Sequence, residues 1–486
     1  MLNKAFITGF ILIVFSMTYY PQNSRINGLG GLSYSINDND YSLNLYDFGR
    51  NPAWLINDEQ TTYLKISPSY NRQRGDYKRQ YDFGSSDIYG VKFNGIKTLG
   101  EDGTFLGYTS YDYEKRKDVY RTLKYDSYAG EAFYSTDTTT GNFTYSGPAV
   151  GFMYSYQLSE GLYIGASIDY RILDGLKDRY SGAKSLLRNV NGLGGAAYKF
   201  SDNYSIGSYI QLFDNQESFE MKSLDGTDVE IFNYRGDNYR TSIRKTVLEQ
   251  KVRKKGEGIF SQIYTRPYDN LEVAAIFNYC NSWTTILLPD GNIKESEEGY
   301  SSFENYNTKL IAKYHPVANL QLGGFICYKE NRSWSKSSAH NLLLWDWEIR
   351  NFSIGAGASY YLSRYKLLIA AEAELCSVKL DSTKYIDNKF ADKKSGDYIL
   401  RLGAEYELLP ETFLRAGYNY GSNETDLIYG GEDTKFNSFS LGVGINISSL
   451  TDIDFNINYA GLTPKSLINI FRDKLTVQAS VKIYTF

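Results

Sequence analysis

The sequence predicts an all-β chain, a transmembrane antiparallel up-and-down β-barrel of about 18 strands. Three observations point there. Segments of about ten residues alternate apolar and polar side chains, the period and length of a tilted strand with hydrocarbon on one face and water on the other. The connections between them alternate short and long. The chain also ends on such a segment, residues 475–486 (LTVQASVKIYTF), where soluble domains tend to trail off in polar termini.

Composition agrees. The 486 residues include 46 Tyr, 26 Phe and 43 Gly but only 9 Pro, a bias that favours strands. Length alone would suit two or three soluble domains. No Pro- or Ser-rich linker divides the chain, however, and no long stretch shows helical period. Mean hydropathy is slightly polar, which excludes a helical membrane protein but suits a barrel, because only alternate residues face lipid. The net charge of −4 argues against a nucleic-acid partner.

Taken in order, residues 1–22 carry Lys4 and then an apolar run over 5–15. The run is too short to span a bilayer comfortably and reads as a secretory signal, with a retained anchor as the alternative. Cleavage fits either Ser16-Met17-Thr18 or a site nearer Gln22. Residues 23–60 form an N-terminal plug or a periplasmic lead-in, and residues 61–486 the outer-membrane barrel. Clear alternating segments are 149–158, 162–172, 271–280, 320–328, 352–362, 367–375, 398–408, 413–420, 439–447 and 453–459. Weaker ones are 62–70, 88–96, 105–112, 189–200, 204–213, 259–266, 309–315 and 474–486. Short turns join alternate pairs, as at Ser159-Glu160-Gly161 and Pro410-Glu411. Long stretches such as 113–146 and 215–258 join the others. Short periplasmic turns with long extracellular loops are the pattern of an outer-membrane barrel. An even strand number puts both termini in the periplasm, and sixteen strands is the nearest alternative.

Faces follow from parity. In 367–375, Leu367, Ile369, Ala371, Ala373 and Leu375 share one face and Glu372 and Glu374 the other. Carboxylates are costly in lipid, so theirs is the lumen face. The same logic turns Arg401, Glu405, Glu407, Arg415 and Asn419 inward on the next two strands. On the closing strand, Tyr484 and Phe486 fall out of phase with Leu475 to Ile483, which a bulge near Ile483 or a change of face at the rim would reconcile.

The segment after the signal runs Gly28-Leu29-Gly30-Gly31-Leu32-Ser33-Tyr34-Ser35, then Asp38-Asn39-Asp40-Tyr41, then Asn51-Pro52-Ala53-Trp54-Leu55. A small-residue patch, an acidic turn and Asn-Pro-Ala in this order resemble the start of the long-chain fatty acid transporter family and of the related barrel that serves a secretion system. The resemblance covers about thirty residues, and Leu45 to Arg50 depart from the family's usual small residues. It implies a plug or hatch entering the barrel, and a barrel of fourteen strands. Asn51, Pro52 and Trp54 are accordingly the candidate plug or gate residues, since Trp54-Leu55-Ile56 needs apolar cover. The terminal Phe486 resembles the signal read by the barrel-insertion machinery, and the whole chain resembles uncharacterised large barrels encoded beside surface uptake receptors.

Glu372, Glu374, Arg401, Glu405, Glu407 and Arg415 are the candidate lumen-lining residues. Their mixed signs favour a rigid wet interior over a selectivity surface for one ion. Trp283, Trp334, Trp345 and Trp347 fall at outer strand ends, where aromatic girdles lie. Arg240, Arg244, Lys245, Lys251, Arg253, Lys254 and Lys255 cluster in the longest connection, as a solvated loop or a surface for lipopolysaccharide phosphates. Cys280, Cys327 and Cys376 sit singly in strands, so no disulfide is expected. No catalytic residue, metal site or cofactor is expected: His315 and His340 fall on opposite sides of the membrane, and no nucleotide-binding glycine pattern occurs. Gly192-Leu193-Gly194-Gly195 lies inside a strand, where it serves close packing.

The leading function is passive passage or transfer of a small molecule, an apolar one included, across the outer membrane, gated by the N-terminal segment. The alternative is a non-conducting scaffold that holds a surface lipoprotein, an uptake receptor or a secreted protein. Outer-membrane lipid and lipopolysaccharide are the expected surroundings in either case. Enzymatic activity is not expected.

Overall fold

The computed structural model describes residues 48–57, 62–179, 182–222, 228–290, 294–424, 427–429, 433–448, 450–465 and 470–484. The expected signal over 1–22, most of 23–60 and the terminal Phe486 lie outside them.

The first seven strands are β1 (Tyr63–Gly75), β2 (Ser85–Leu99), β3 (Gly103–Thr122), β4 (Phe133–Ser159), β5 (Leu162–Lys177), β6 (Lys184–Ser201) and β7 (Tyr204–Lys222). A hairpin follows, β8 (Val229–Arg235) and β9 (Arg240–Lys245). The series resumes with β10 (Val247–Tyr268), β11 (Leu271–Asp290), β12 (Lys294–Val317), β13 (Leu320–Ser337), β14 (Leu342–Leu362) and β15 (Leu367–Lys384). It ends with β16 (Lys389–Leu409), β17 (Thr412–Glu424), β18 (Asp433–Ser448), β19 (Thr451–Pro464) and β20 (Arg472–Tyr484). Each strand pairs antiparallel with the next, β7 pairs with β10 across the hairpin, and β20 returns to β1. With β8 and β9 set aside, eighteen strands close the ring. Each of the eighteen alternating segments of the sequence falls in its own barrel strand. Among the described residues the closed eighteen-strand ring has no unpaired edge strand, the condition for a sheet in hydrocarbon.

The strands are longer than the alternating segments, and they lengthen at one end. Stretches that sequence assigns to long connections are largely strand. β3 and β4 stay paired beyond Arg116 and Phe143, and β11 pairs with β12 out to Asp290 and Lys294. The ladder needs hydrogen bonds rather than alternation, so it continues where both faces are polar and periodicity fades. At the other end the turns are tight. Gly100 and Gly161 take φ of 71° and 74° there, the left-handed region that glycine enters without steric cost.

Side chains obey the expected parity. Ile164, Ile168, Ile210, Leu212, Leu400, Leu402, Phe439 and Leu441 are exposed on the outer face, while Ser155, Ala197, Gln262, Glu372 and Arg415 are buried on the inner one. The closing strand needs no bulge. β19 and β20 pair without a register shift from Thr451–Ile483 to Leu462–Arg472. Tyr484 turns inward at the rim, where its hydroxyl donates to Asp452 at 2.8 Å.

Candidate functional site

Inside the barrel, near the short-turn end, lies the stretch Phe48 to Ile56. Its 3₁₀ turn, Pro52–Asn57, begins where Asn-Pro ends the preceding extended chain. Asn51 organises it. The side-chain carbonyl accepts the Ala53 N–H at 3.0 Å. The amide donates to the main-chain carbonyls of Ala196 and Ser208, at 3.1 and 3.2 Å, and to Gln262 Oε1 at 3.3 Å. Asn51, Ala53, Trp54 and Leu55 are wholly buried.

The wall beneath is cut away to receive them. Gly165 on β5 faces Gly195 on β6 directly, and Gly207 on β7 faces Ala197. A methyl group at Gly165 would meet the Pro52 carbonyl carbon at 2.4 Å, one at Gly195 the Asn51 side-chain oxygen at 2.2 Å, and one at Gly207 the Trp54 ring at 2.7 Å. Such distances are inside van der Waals contact, so these three positions need glycine for close approach. Ser155 adds a hydrogen bond to the Ala53 carbonyl at 2.9 Å. Leu55 packs with Ile96 and Met153. At the other end, Phe48 packs with Tyr264, Ala274, Ile311, Phe325 and Cys327. Nine residues thus touch inner walls from β2 round to β13. Trp54 Nε1 and Gln262 Nε2 are buried without an acceptor among the described residues.

The candidate lumen-lining residues meet on the opposite wall. Arg401 donates to Glu372 at 2.9 Å and to Glu374 at 2.7 Å. Arg415, almost fully buried, bridges Glu405 at 2.9 Å and Asp454 at 2.8 Å. Glu407 stands apart at the rim, paired with Lys366 at 2.7 Å. Asp454 is a member that sequence reasoning missed. Its signal was available, since it shares the inward parity of β19 with Asn456 and Asn458.

At the long-connection end the extended ladders, the β3–β4 connection and the β8–β9 hairpin build a cap. Leu123, Phe133, Phe143, Phe219, Met221, Ile231, Leu344, Trp345 and Trp347 form its buried apolar cluster. β8 pairs with β4 from Phe232–Thr136 to Arg235–Phe133. Trp347 Nε1 donates to the Gly130 carbonyl at 3.1 Å, and the Gly130 N–H to the Tyr429 hydroxyl at 2.6 Å. Buried ion pairs run through the cap: Lys124–Glu131 at 2.6 Å, Lys177–Asp137 at 2.7 Å, and Arg235 with Glu298. Glu217 accepts the Tyr125 N–H at 2.6 Å and the Ser185 hydroxyl at 3.1 Å. Burial nevertheless pushes its carboxyl from 4.5 up to about 7. The turn of the hairpin crosses to the β15–β16 turn. There Asp387 accepts the N–H groups of Asp237 and Asn238, and Asp237 is held by Lys384 and Lys389, both at 2.8 Å.

Two sequence expectations are corrected here. Trp345 and Trp347 are not girdle residues: their odd parity on β14 turns them inward, into the cap, whereas Trp334 is exposed outside. The seven basic residues are not one loop. Arg240, Arg244 and Lys245 lie on β9, the others on β10. Arg244 pairs with Glu230 and Arg253 with Asp214. The three cysteines carry free thiols. Among the described residues no group of three His, Cys, Asp or Glu is placed to hold a metal ion.

The sequence profile of a family of unknown function, DUF6850, matches residues 52–335, more than half of the chain, and the chain belongs to that family. A profile of the outer membrane protein β-barrel domain matches residues 296–446. No curated protein matches. Similar solved structures include a FadL homologue of Pseudomonas aeruginosa, 12% identical, covering 96% of this chain and 99% of that one with a TM-score of 0.37. The toluene transporter TbuX of Ralstonia pickettii is 12% identical over 97% of this chain and 100% of its own, with a TM-score of 0.34. The copper transporter OprC is 9% identical over 87% and 80%, with a TM-score of 0.45. Scores this low carry no functional argument, and the fourteen strands implied by the fatty acid transporter resemblance give way to eighteen. The domain match and the apolar outer face together make the chain an integral outer-membrane β-barrel.

Proposed function

We propose that this barrel passes a small solute across the outer membrane and that the segment around Asn51-Pro52-Ala53-Trp54 is its gate at the short-turn end. The observation that carries the reading is the seat itself. A wall reduced to glycine at three neighbouring positions, holding a separate stretch of chain by shape and a few hydrogen bonds, lets that stretch leave without breaking the ladder. In this reading the short turns and both termini are periplasmic, the long connections face outward, and the solute enters beneath the cap.

The apolar cap favours one competing reading, a barrel filled by its own chain that serves as a scaffold for a surface partner. Conductance of the purified protein in planar bilayers separates the two. Removal of residues 23–56 is expected to convert rare openings into steady ohmic current. Silence after that deletion, with a stoichiometric partner co-purifying in mild detergent, overturns the passage reading in favour of the scaffold.

A further inference from the structure

Beside the cap, at the long-connection end, opens a cavity of about 960 Å³, the size of a small-molecule site. Its walls are aromatic. Tyr81 stacks on Tyr134 with ring centroids 5.3 Å apart, and Tyr128 meets Tyr429 edge-on at 4.8 Å. Burial pushes the Tyr81 hydroxyl up to about 12, so that group stays a neutral hydrogen-bond donor.

Among the described residues the cavity wall also carries a buried guanidinium that makes no ion pair. Arg472, at the start of β20, is 7% exposed and lines the cavity. It donates to the Phe83 carbonyl at 3.3 Å and lies over the Phe83 ring at 4.9 Å. The carboxylates nearest in sequence and space are engaged elsewhere. Asp82 takes both arms of Arg79, at 2.9 and 3.2 Å, and Asp473 pairs with Arg74 at 3.2 Å. Arg116 and Lys124, also on the cavity wall, are matched by Glu114 and Glu131. Among the described residues no carboxylate reaches ion-pair distance of Arg472. A guanidinium held this dry without an anion is costly, and a planar anion would satisfy its forked donors.

We propose that this cavity binds a small organic anion with a flat aromatic body, its carboxylate on Arg472 and its ring among Tyr81, Tyr128 and Tyr429. Calling that ligand the solute to be passed rests on the passage reading; binding itself does not. A carboxylate alone would fill a small part of the volume, which leaves room for one or two rings. The tyrosines supply edges and faces to receive them.

The test is equilibrium binding to the full-length protein in detergent, with naphthalene-2-carboxylate, naphthalene, inorganic phosphate and maltose as probes. The naphthoate is expected to bind saturably, at least tenfold more tightly than each of the others. Arg472→Gln is expected to lose at least tenfold of that affinity while Arg472→Lys keeps most of it. Naphthalene or phosphate binding as tightly as the naphthoate overturns the proposal, as does an unchanged affinity in Arg472→Gln. Tightest binding of maltose assigns the cavity to a sugar instead and overturns it too. Should Arg472→Gln not fold, the probe series on the native protein decides alone. Because no current is measured, a failed binding test leaves the conductance experiment intact, and the reverse holds as well.

Discussion

Two walls of one lumen meet the demands of a wet interior in opposite ways. Along β5, β6 and β7 the inner face is pared down to Gly165, Gly195, Ala197 and Gly207, and a separate stretch of chain supplies the covering side chains. Along β15 to β19 the wall supplies its own, with Arg401 and Arg415 each shared between two carboxylates. The first covering is not part of the β5–β7 ladder, so the proposed gate would leave that wall paired. The second is part of the wall, and losing one member strands a charge. On the proposed gate reading the lumen has a fixed side and a removable side, and a path opened by the segment's departure would run along the glycines.

The largest effect should come from the fixed side. Arg415→Met leaves Glu405 and Asp454 without their shared cation in a buried setting, which costs about 3–5 kcal/mol. The exposed Lys366–Glu407 pair supplies the control, since Lys366→Met should cost at most about 1 kcal/mol. Urea unfolding, followed by the shift in gel migration between folded and unfolded barrel, reads both. Equal midpoints for the two variants would break the comparison.

On the removable side, Trp54→Ala takes away a fully buried indole and should cost about 3–5 kcal/mol of docking, with little change in the urea midpoint of the barrel. Gly195→Leu should act the same way from the wall side by occupying the place of the Asn51 side chain. Protease cleavage within 48–57 and open-channel current should both rise. A lowered barrel midpoint without greater access to the segment would mean that the stretch is structural and not removable.

These contrasts also set what the sequence could tell. The strand number was legible because lipid demands apolar residues at every second position, and parity is a strong signal over ten residues. Parity placed Glu372, Arg401 and Arg415 inward and could have placed Asp454 and Trp347 too. The glycine seat was half legible. Gly194 and Gly195 announced close packing, but the residue that packs on Gly195, Asn51, lies more than a hundred positions away in sequence. The cap was not legible. Phe133 to Asp137 of β4 is buried at successive positions, and the cap ends of β7, β8 and β10 alternate over only about six residues with polar groups among the buried ones, so the ladders read as loops. The pairing of Glu217 with a main-chain N–H leaves no trace in composition.

The cap, unlike the seat, is rich in titratable groups, and it should respond to pH where the seat does not. The carboxyl of Glu217 rises from 4.5 to about 7 on folding. A raised carboxyl favours the folded cap in its protonated form. No penalty applies below about 4.5; it grows as pH rises and is complete above about 7, where it reaches about 3 kcal/mol. Amide exchange over 229–245 should accelerate between pH 5 and 8 beyond the intrinsic chemical rate, and Glu217→Gln should abolish that excess. The same excess persisting in Glu217→Gln would place the sensor elsewhere.

The smallest effect belongs to the tie between the hairpin and the β15–β16 turn. Asp237 is about a third exposed and Lys389 more so, so water screens both pairs and each is worth roughly 0.5–1 kcal/mol at low salt. Burial opposes the charge on Asp237, yet hydrogen bonds from Lys384 and Lys389 hold its carboxyl below the ordinary range. The contribution is therefore present at neutral pH and lost on acidification, opposite in sign to that of Glu217. Asp237→Asn keeps the main-chain N–H that donates to Asp387 and removes only the charge. Exchange of the hairpin amides should speed up roughly two- to fivefold at low ionic strength. The difference from the native protein should fade near 0.5 M salt, where the screening length falls below about 5 Å. The Glu217 effect arises from burial and should persist at that salt concentration. If salt removes both effects together, the cap is held by surface charge alone, and the distinction between its buried and exposed ionic groups fails.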